Sequence, residues 1–301
     1  MKHTIYRCTA CSRQRLPFPL RRALSTAITP NTPSNPNKVP LHDLTPADIS
    51  YYWDTQVPNE TDLTYADKFF APSRHSPIKI WSASKFRTTP MSSVEPEVAF
   101  LGRSNVGKSS LLNAIMGKEI CWTSSKPGRT REMNAFGIGG TKGGESKIVL
   151  LDMPGYGKAS RTEWGIEIMN LHGLKKTDED ILMLFRKYAI PHQVIMSKVD
   201  KILAKKKSQV KSGASAAKVA TLQTLLQSYR PILQPDGRLE GPGALGEILT
   251  CSAETPISPG KSLGISAIRW AILSAAGFDG NMKAHPVPTG SQVTNISPAA
   301  S

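Results

Sequence analysis

The sequence has no unbroken apolar run near the ~18 residues of a membrane helix, so no spanning helix is expected. Acids are scarce, with 23 Asp and Glu against 38 Lys and Arg and a formal net charge of +15. The deficit is local: residues 1–42 carry seven Lys/Arg and no acid, and residues 175–218 carry eleven Lys/Arg against four acids. Four cysteines in 301 residues exclude a disulfide framework. Cys8 and Cys11 have the spacing of half a zinc site, but no second Cys/His pair follows at ribbon or finger spacing, which argues against metal there. Cys121 and Cys251 read as reduced structural thiols of a non-secretory compartment. No internal repeat is present, and the length suits one large domain or two small ones.

Residues 1–27 are rich in Arg, contain Ser and Thr and lack acids, the composition of a mitochondrial targeting segment. Arg22-Ala23-Leu24-Ser25 resembles a matrix-processing site with cleavage after Leu24; the competing reading is a basic tail that binds nucleic acid. Residues 28–66 read as linker and N-terminal extension, 67–278 as the folded domain and 279–301 as a disordered tail. Within the domain, short apolar runs alternate with amphipathic stretches, which predicts a mostly parallel sheet with helices on both faces. Strands are expected over 97–101, 147–151, 193–196 and 247–250, and helices over 108–116 and 263–276. Motifs then fall at the carboxyl ends of strands, where open α/β sheets bind ligands.

Gly102-Arg103-Ser104-Asn105-Val106-Gly107-Lys108-Ser109 is a GxxxxGKS loop between a strand and a helix. Its glycines let backbone N–H groups turn around phosphate oxygens, Lys108 reaches the β- and γ-phosphates, and the Ser109 hydroxyl ligates Mg²⁺. Asp152-Met153-Pro154-Gly155 follows: Asp152 holds the Mg²⁺ shell through water, and the Gly155 N–H meets the γ-phosphate. Ser197-Lys198-Val199-Asp200 is a variant of the guanine-reading NKxD pattern. The Asp200 carboxylate accepts from the ring N–H and exocyclic amine of guanine, a donor pair that adenine lacks. Cys251-Ser252-Ala253 offers backbone to guanine O6, and Thr130, in Lys126-Pro127-Gly128-Arg129-Thr130-Arg131, completes Mg²⁺ coordination in the GTP state.

With these motifs in order, GRSNVGKSSLLNAI, SSKPGRTREMNAF and DMPGYGKAS resemble the EngB (YihA) group of Era-like GTPases over about 69–278. The resemblance implies a Ras-like P-loop G domain, Mg²⁺-dependent GTP binding and hydrolysis, and a role in large ribosomal subunit assembly. With the targeting segment it implies a mitochondrial, fungal-type member in the matrix, a monomer whose partner is the mitochondrial large subunit or its RNA. Carried over, the GTP contacts are Gly102 to Ser109, Gly128, Arg129, Thr130, Arg131, Glu132, Asp152 to Gly155, Ser197, Lys198, Val199, Asp200, Cys251, Ser252 and Ala253. The Mg²⁺ ligands are Ser109 and Thr130, with Asp152 through water. Tyr156 stands where many GTPases have the Gln that orients water. Asn105 stands where related proteins help hold K⁺, so Lys108, Thr130, Gly155 and Asn105 form the implied catalytic set.

One stretch departs from the family. A helix is expected at 163–170 and another at 178–188, leaving only Leu171-His172-Gly173-Leu174-Lys175-Lys176-Thr177 where a buried strand belongs. The expectation is that about 25 residues, a helix end plus one strand, are absent after Asn170, leaving a gap in the middle of the sheet. That favours a rival reading, a nucleotide-independent RNA-binding or scaffold protein on a defective G domain. A third reading, an ATP-using enzyme, is opposed by Asp200. Lys201, Lys205, Lys206, Lys207, Lys211 and Lys218 flank the guanine motif as a solvated face or as contacts to ribosomal RNA. No aromatics interleave them, so base stacking is not indicated there.

Overall fold

A computed structural model describes residues 38–90, 94–103, 105–121, 132–141, 146–154, 165–170, 175–204, 213–234 and 244–278. The runs EVAFLG and IVLLD form β4 (Glu97–Gly102) and β6 (Ile148–Asp152); such unbroken apolar strands suit a sheet covered on both faces. The other main strands are β3 (Ile78–Ala83), β5 (Met133–Ile138), β7 (Gly165–Asn170), β8 (His192–Ser197), β10 (Glu247–Ser258) and β11 (Lys261–Leu263). Their order is β11-β10-β8-β7-β4-β6-β5-β3, and β2 (Tyr51–Tyr52) adds to β10. The run β10-β8-β7-β4-β6 is parallel, while β5 and β11 are antiparallel to their neighbours.

Alternate side chains divide the core. Val98 and Phe100 face α2 (Glu60–Phe69), α3 (Lys108–Met116) and α7 (Ile265–Ala275), with Leu112, Ile115 and Ile268 fully buried among them. Ala99 and Leu101 face the other way, toward α4 (Lys176–Lys187) and α6 (Ala216–Leu233), where Leu182, Leu222 and Leu226 are buried. This is the mostly parallel sheet with helices on both faces.

The middle of the sheet requires a correction. Gly165–Asn170 is not a helix; it is β7, parallel to both neighbours, with Phe100 opposite Ile166 on one side and Val194 opposite Glu167 on the other. The expected central gap is therefore absent. The reason is tertiary: β4 and β8 each present buried N–H and C=O groups that need partners, and the segment that reaches them takes the extended form. The connection sits at the lower limit of length. Residues 153–164 alone link β6 to β7 past β4, and a parallel crossover needs about a dozen residues, usually a helix.

The N-terminal part of the described chain is bound to the domain. Asn59 caps α2 by accepting from Asp62 N at 3.0 Å, and that helix runs through residues 66 and 67, across the boundary expected there. Short β1 (Lys38–Val39) pairs with β9 (Ala214–Ser215), and the turn of helix α1 (Pro46–Ile49) is gripped by Gln223 Nε2, which donates to the Ala47, Asp48 and Ser50 carbonyls. Residues 1–27 and 279–301 lie outside the described residues.

His192, at the start of β8, is fully buried against Phe185 and holds its Nδ1 3.0 Å from the Ile190 carbonyl. Burial first, and then the Arg186 charge, hold its imidazole below the usual histidine range. Below about pH 6.5 the unfolded histidine binds a proton that the folded one refuses, so stability falls with pH there, by up to about 1.4 kcal/mol per unit. Buried Glu247, whose carboxyl is pushed up by burial, has the opposite sign. Urea midpoints at pH 7.5 and 5.5 should therefore drop more in the unaltered chain than in His192→Gln. Equal drops would refute the assignment.

Candidate nucleotide site

The phosphate loop follows β4 and opens α3. Gly107 has φ +105°, a backbone conformation that side-chain-bearing residues rarely adopt, so glycine serves the left-handed turn; a Cβ there would meet Lys198 Cε at an ordinary 3.6 Å. Asn105 and Lys198 also have left-handed φ, +63° and +64°. The two loops are joined: Lys198 Nζ donates to the Asn105 carbonyl at 2.8 Å and Ser197 Oγ to the Val106 carbonyl at 2.6 Å. Two non-glycine residues in this sparse region, on loops that touch, are the kind of local strain that gathers at functional sites.

Lys108 is buried; its Nζ donates to the Met153 carbonyl and lies 3.7 Å from Asp152 Oδ1. Asp152 is also buried. Burial raises its pKa to about 6, against the lowering effect of Lys108. Its Oδ1 accepts no hydrogen bond among the described residues. A buried carboxylate oxygen that faces the Lys108 ammonium but accepts no hydrogen bond, beside the phosphate loop, fits the outer shell of a hydrated cation. Ser109, half-buried at the start of α3, would supply a direct ligand. Mg²⁺ held there would neutralise phosphate charge.

The guanine side is built from the ends of β8 and β10. Asp200 opens the one-turn helix α5 (Asp200–Leu203), and its Oδ1 accepts from Ser252 Oγ at 2.6 Å. Ser252 also lies 2.9 Å from Thr255 Oγ1, and Val199 N donates to the Cys251 carbonyl at 3.0 Å. The 251–253 triplet thus orients the carboxylate. Burial raises the Cys251 thiol to about 12, which leaves it inert. Desolvation, followed by Lys201, pushes the Lys198 ammonium below the usual lysine range.

The structure brings Arg103, Asn105 to Ser109, Asp152, Met153 and Ser197 to Asp200 to one end of the sheet, with Cys251 to Ala253 beside them. Glu132 is exposed at the head of β5, and Pro154 follows Met153. Ser104, Gly128, Arg129, Thr130, Arg131, Gly155 and Tyr156 lie outside the described residues. One residue escaped the sequence reading. Asp178, fully buried in the first turn of α4, sits 2.9 Å from Arg103 Nε, an ion pair out of line for a hydrogen bond, while its Oδ2 accepts from Lys175 N at 3.0 Å. An acidic residue in the first turn of a helix was legible; its grip on the phosphate loop was not. Lys218, grouped with the RNA-facing lysines, instead donates to the Leu203 carbonyl at 2.9 Å and closes α5.

A strand-loop-helix phosphate cradle, a carboxylate at the next strand end and an oriented Asp at the base position define a P-loop GTPase. The family model described as "50S ribosome-binding GTPase" matches residues 97–216. The "Probable GTP-binding protein EngB" of Bartonella bacilliformis is 37% identical over 206 residues, covering 60% of this chain and 84% of the relative. The chain belongs to the EngB family of GTP-binding, GTP-hydrolysing proteins. EngB of Rhizobium etli (strain CIAT 652) is 41% identical over 134 residues, covering 36% of this chain and 62% of the relative. Among solved structures, a point variant of Aquifex aeolicus Era bound to GDP·AlF₄⁻ aligns with TM-score 0.41 and 24% identity, covering 59% of this chain and 56% of Era. Since 60% of 301 residues is about 181 and 36% is about 108, alignments of 206 and 134 residues each leave about 25 positions without a counterpart here. The shorter alignment shows that the shortfall lies inside the shared segment.

Proposed function

We propose that this GTPase is a Mg²⁺-dependent switch that assists assembly of the mitochondrial large ribosomal subunit, working as a monomer in the matrix. The observation that carries the switch is the pair of bonds from Ser197 and Lys198 to the phosphate loop, which lets base and phosphate recognition act as one unit. The ribosomal part is supported by the family description, and the mitochondrial part by the acid-free, Arg-rich residues 1–27. Hydrolysis is slow and stimulated by K⁺ held at Asn105, because Tyr156 cannot orient water as Gln does. GTPase rates in K⁺ and Na⁺ buffers, with and without mitochondrial pre-ribosomes, test this; equal rates in all four would sink it. Import into isolated mitochondria should trim the chain after Leu24.

The second reading, a nucleotide-independent scaffold, is favoured by the shortfall of about 25 positions. The closed sheet weakens it, since β4 and β8 both have partners. Titration of the 301-residue chain with fluorescent GDP separates the two, as a scaffold would show no saturable binding.

A further inference from the structure

At the pole of the sheet opposite the phosphate loop lies an open groove of about 710 Å³. It runs between the end of α2 and the turn joining β5 to β6, and Phe278, just past α7, borders it. β6 is five residues long, which at ~3.3 Å per residue puts roughly 17 Å between this turn and Asp152. An occupant would not touch the nucleotide.

The lining combines rings with cations. Tyr65 is 43% exposed, and Phe69 and Phe278 meet at 5.5 Å, tilted by 50°. Lys147 Nζ sits 6.0 Å from the centre of the Phe69 ring. Lys68 and Arg74 are exposed, and His75 stands half-buried beside them. None of the described lining residues is acidic. Asp67, next along α2, is committed to Arg269, Lys261 and Ser266. The backbone of Gly139 packs so close to Phe69 that a Cβ would come within 2.8 Å of the ring, which fixes the ring as part of the groove wall.

We propose that this groove binds single-stranded RNA, with Lys68, Arg74 and Lys147 on phosphates and an unpaired base stacked on Tyr65. Charge complementarity selects a polyanion, and the exposed Tyr65 ring beside the cations selects one with flat faces to stack. Duplex RNA keeps its bases stacked internally and offers no such face. The ribosomal reading enters only as the source of the RNA. Because the groove is remote from the nucleotide, it acts as an anchor whose affinity is the same in the GDP and GTP states.

The test is fluorescence anisotropy of the full 301-residue chain with a labelled unpaired RNA of about 12 nucleotides, within the span of such sites, across a salt series. Tyr65→Ala should weaken binding at least about fivefold. Arg74→Glu with Lys147→Glu should weaken it at least about tenfold and flatten the salt slope by about 1.4. These side chains are exposed, and unchanged GDP binding by the variants confirms their folding. Reversing Lys205, Lys206 and Lys207 should leave most of the affinity. The proposal is overturned if Tyr65→Ala has no effect, if a duplex binds equally well, if an acidic peptide competes as well as RNA, or if only the 205–207 variant loses binding. Pre-ribosome co-sedimentation separates the two readings: its loss with RNA binding intact removes the ribosomal role and leaves the groove.

Discussion

Replacing Asp200 with Asn should cut GTP affinity by about 10²- to 10⁴-fold while xanthosine triphosphate gains. The Ser252 hydroxyl holds Asp200 Oδ1 at 2.6 Å, so the carboxylate meets the base in a fixed orientation. Two acceptor oxygens match the N1–H and amine of guanine. Asparagine keeps one acceptor and turns an NH₂ toward the amine, leaving two donors face to face in a partly buried site. Xanthine carries a carbonyl in place of that amine and restores the match. Displacement of fluorescent GDP by each triphosphate measures the exchange. Unchanged preference for GTP would mean that Asp200 does not read the base.

The second large effect concerns Arg103→Leu. It leaves the Asp178 carboxylate fully buried without its cation, a situation that costs about 3–5 kcal/mol. Urea unfolding without nucleotide should show a loss of that size. The double variant Arg103→Leu with Asp178→Leu removes both charges and should recover most of it. A double variant as unstable as the single one would show that the two residues act independently.

Most of the site was legible because its motifs combine special backbone, charge and spacing within a few residues. GxxxxGKS between a strand and a helix admits few readings, and α3 begins and ends where the pattern places it. Leu222 and Leu226, four residues apart, fall on one side of a helix, and that side is the buried face of α6. What stayed hidden depended on partners far along the chain. Gly-Ile-Glu-Ile-Met-Asn suits a short helix or a short strand equally, and only the ladders on β4 and β8 decide between them. The meeting of Arg103 with Asp178, the grip of Gln223 on α1 and the capping role of Lys218 have no local signature.

The central position of β7 also governs how the sheet can come apart. Hydrogen-bonded pairing divides the sheet into two leaves, β3-β5-β6-β4 and β8-β10-β11 with β2, and β7 is the spine between them. The spine begins and ends with Gly165 and Asn170, both poor strand formers. One leaf carries the loops for phosphate, the other the loops for guanine. A bound nucleotide therefore works as a clasp holding the book shut, adding about 2.7 kcal/mol when present at about 100 times its Kd.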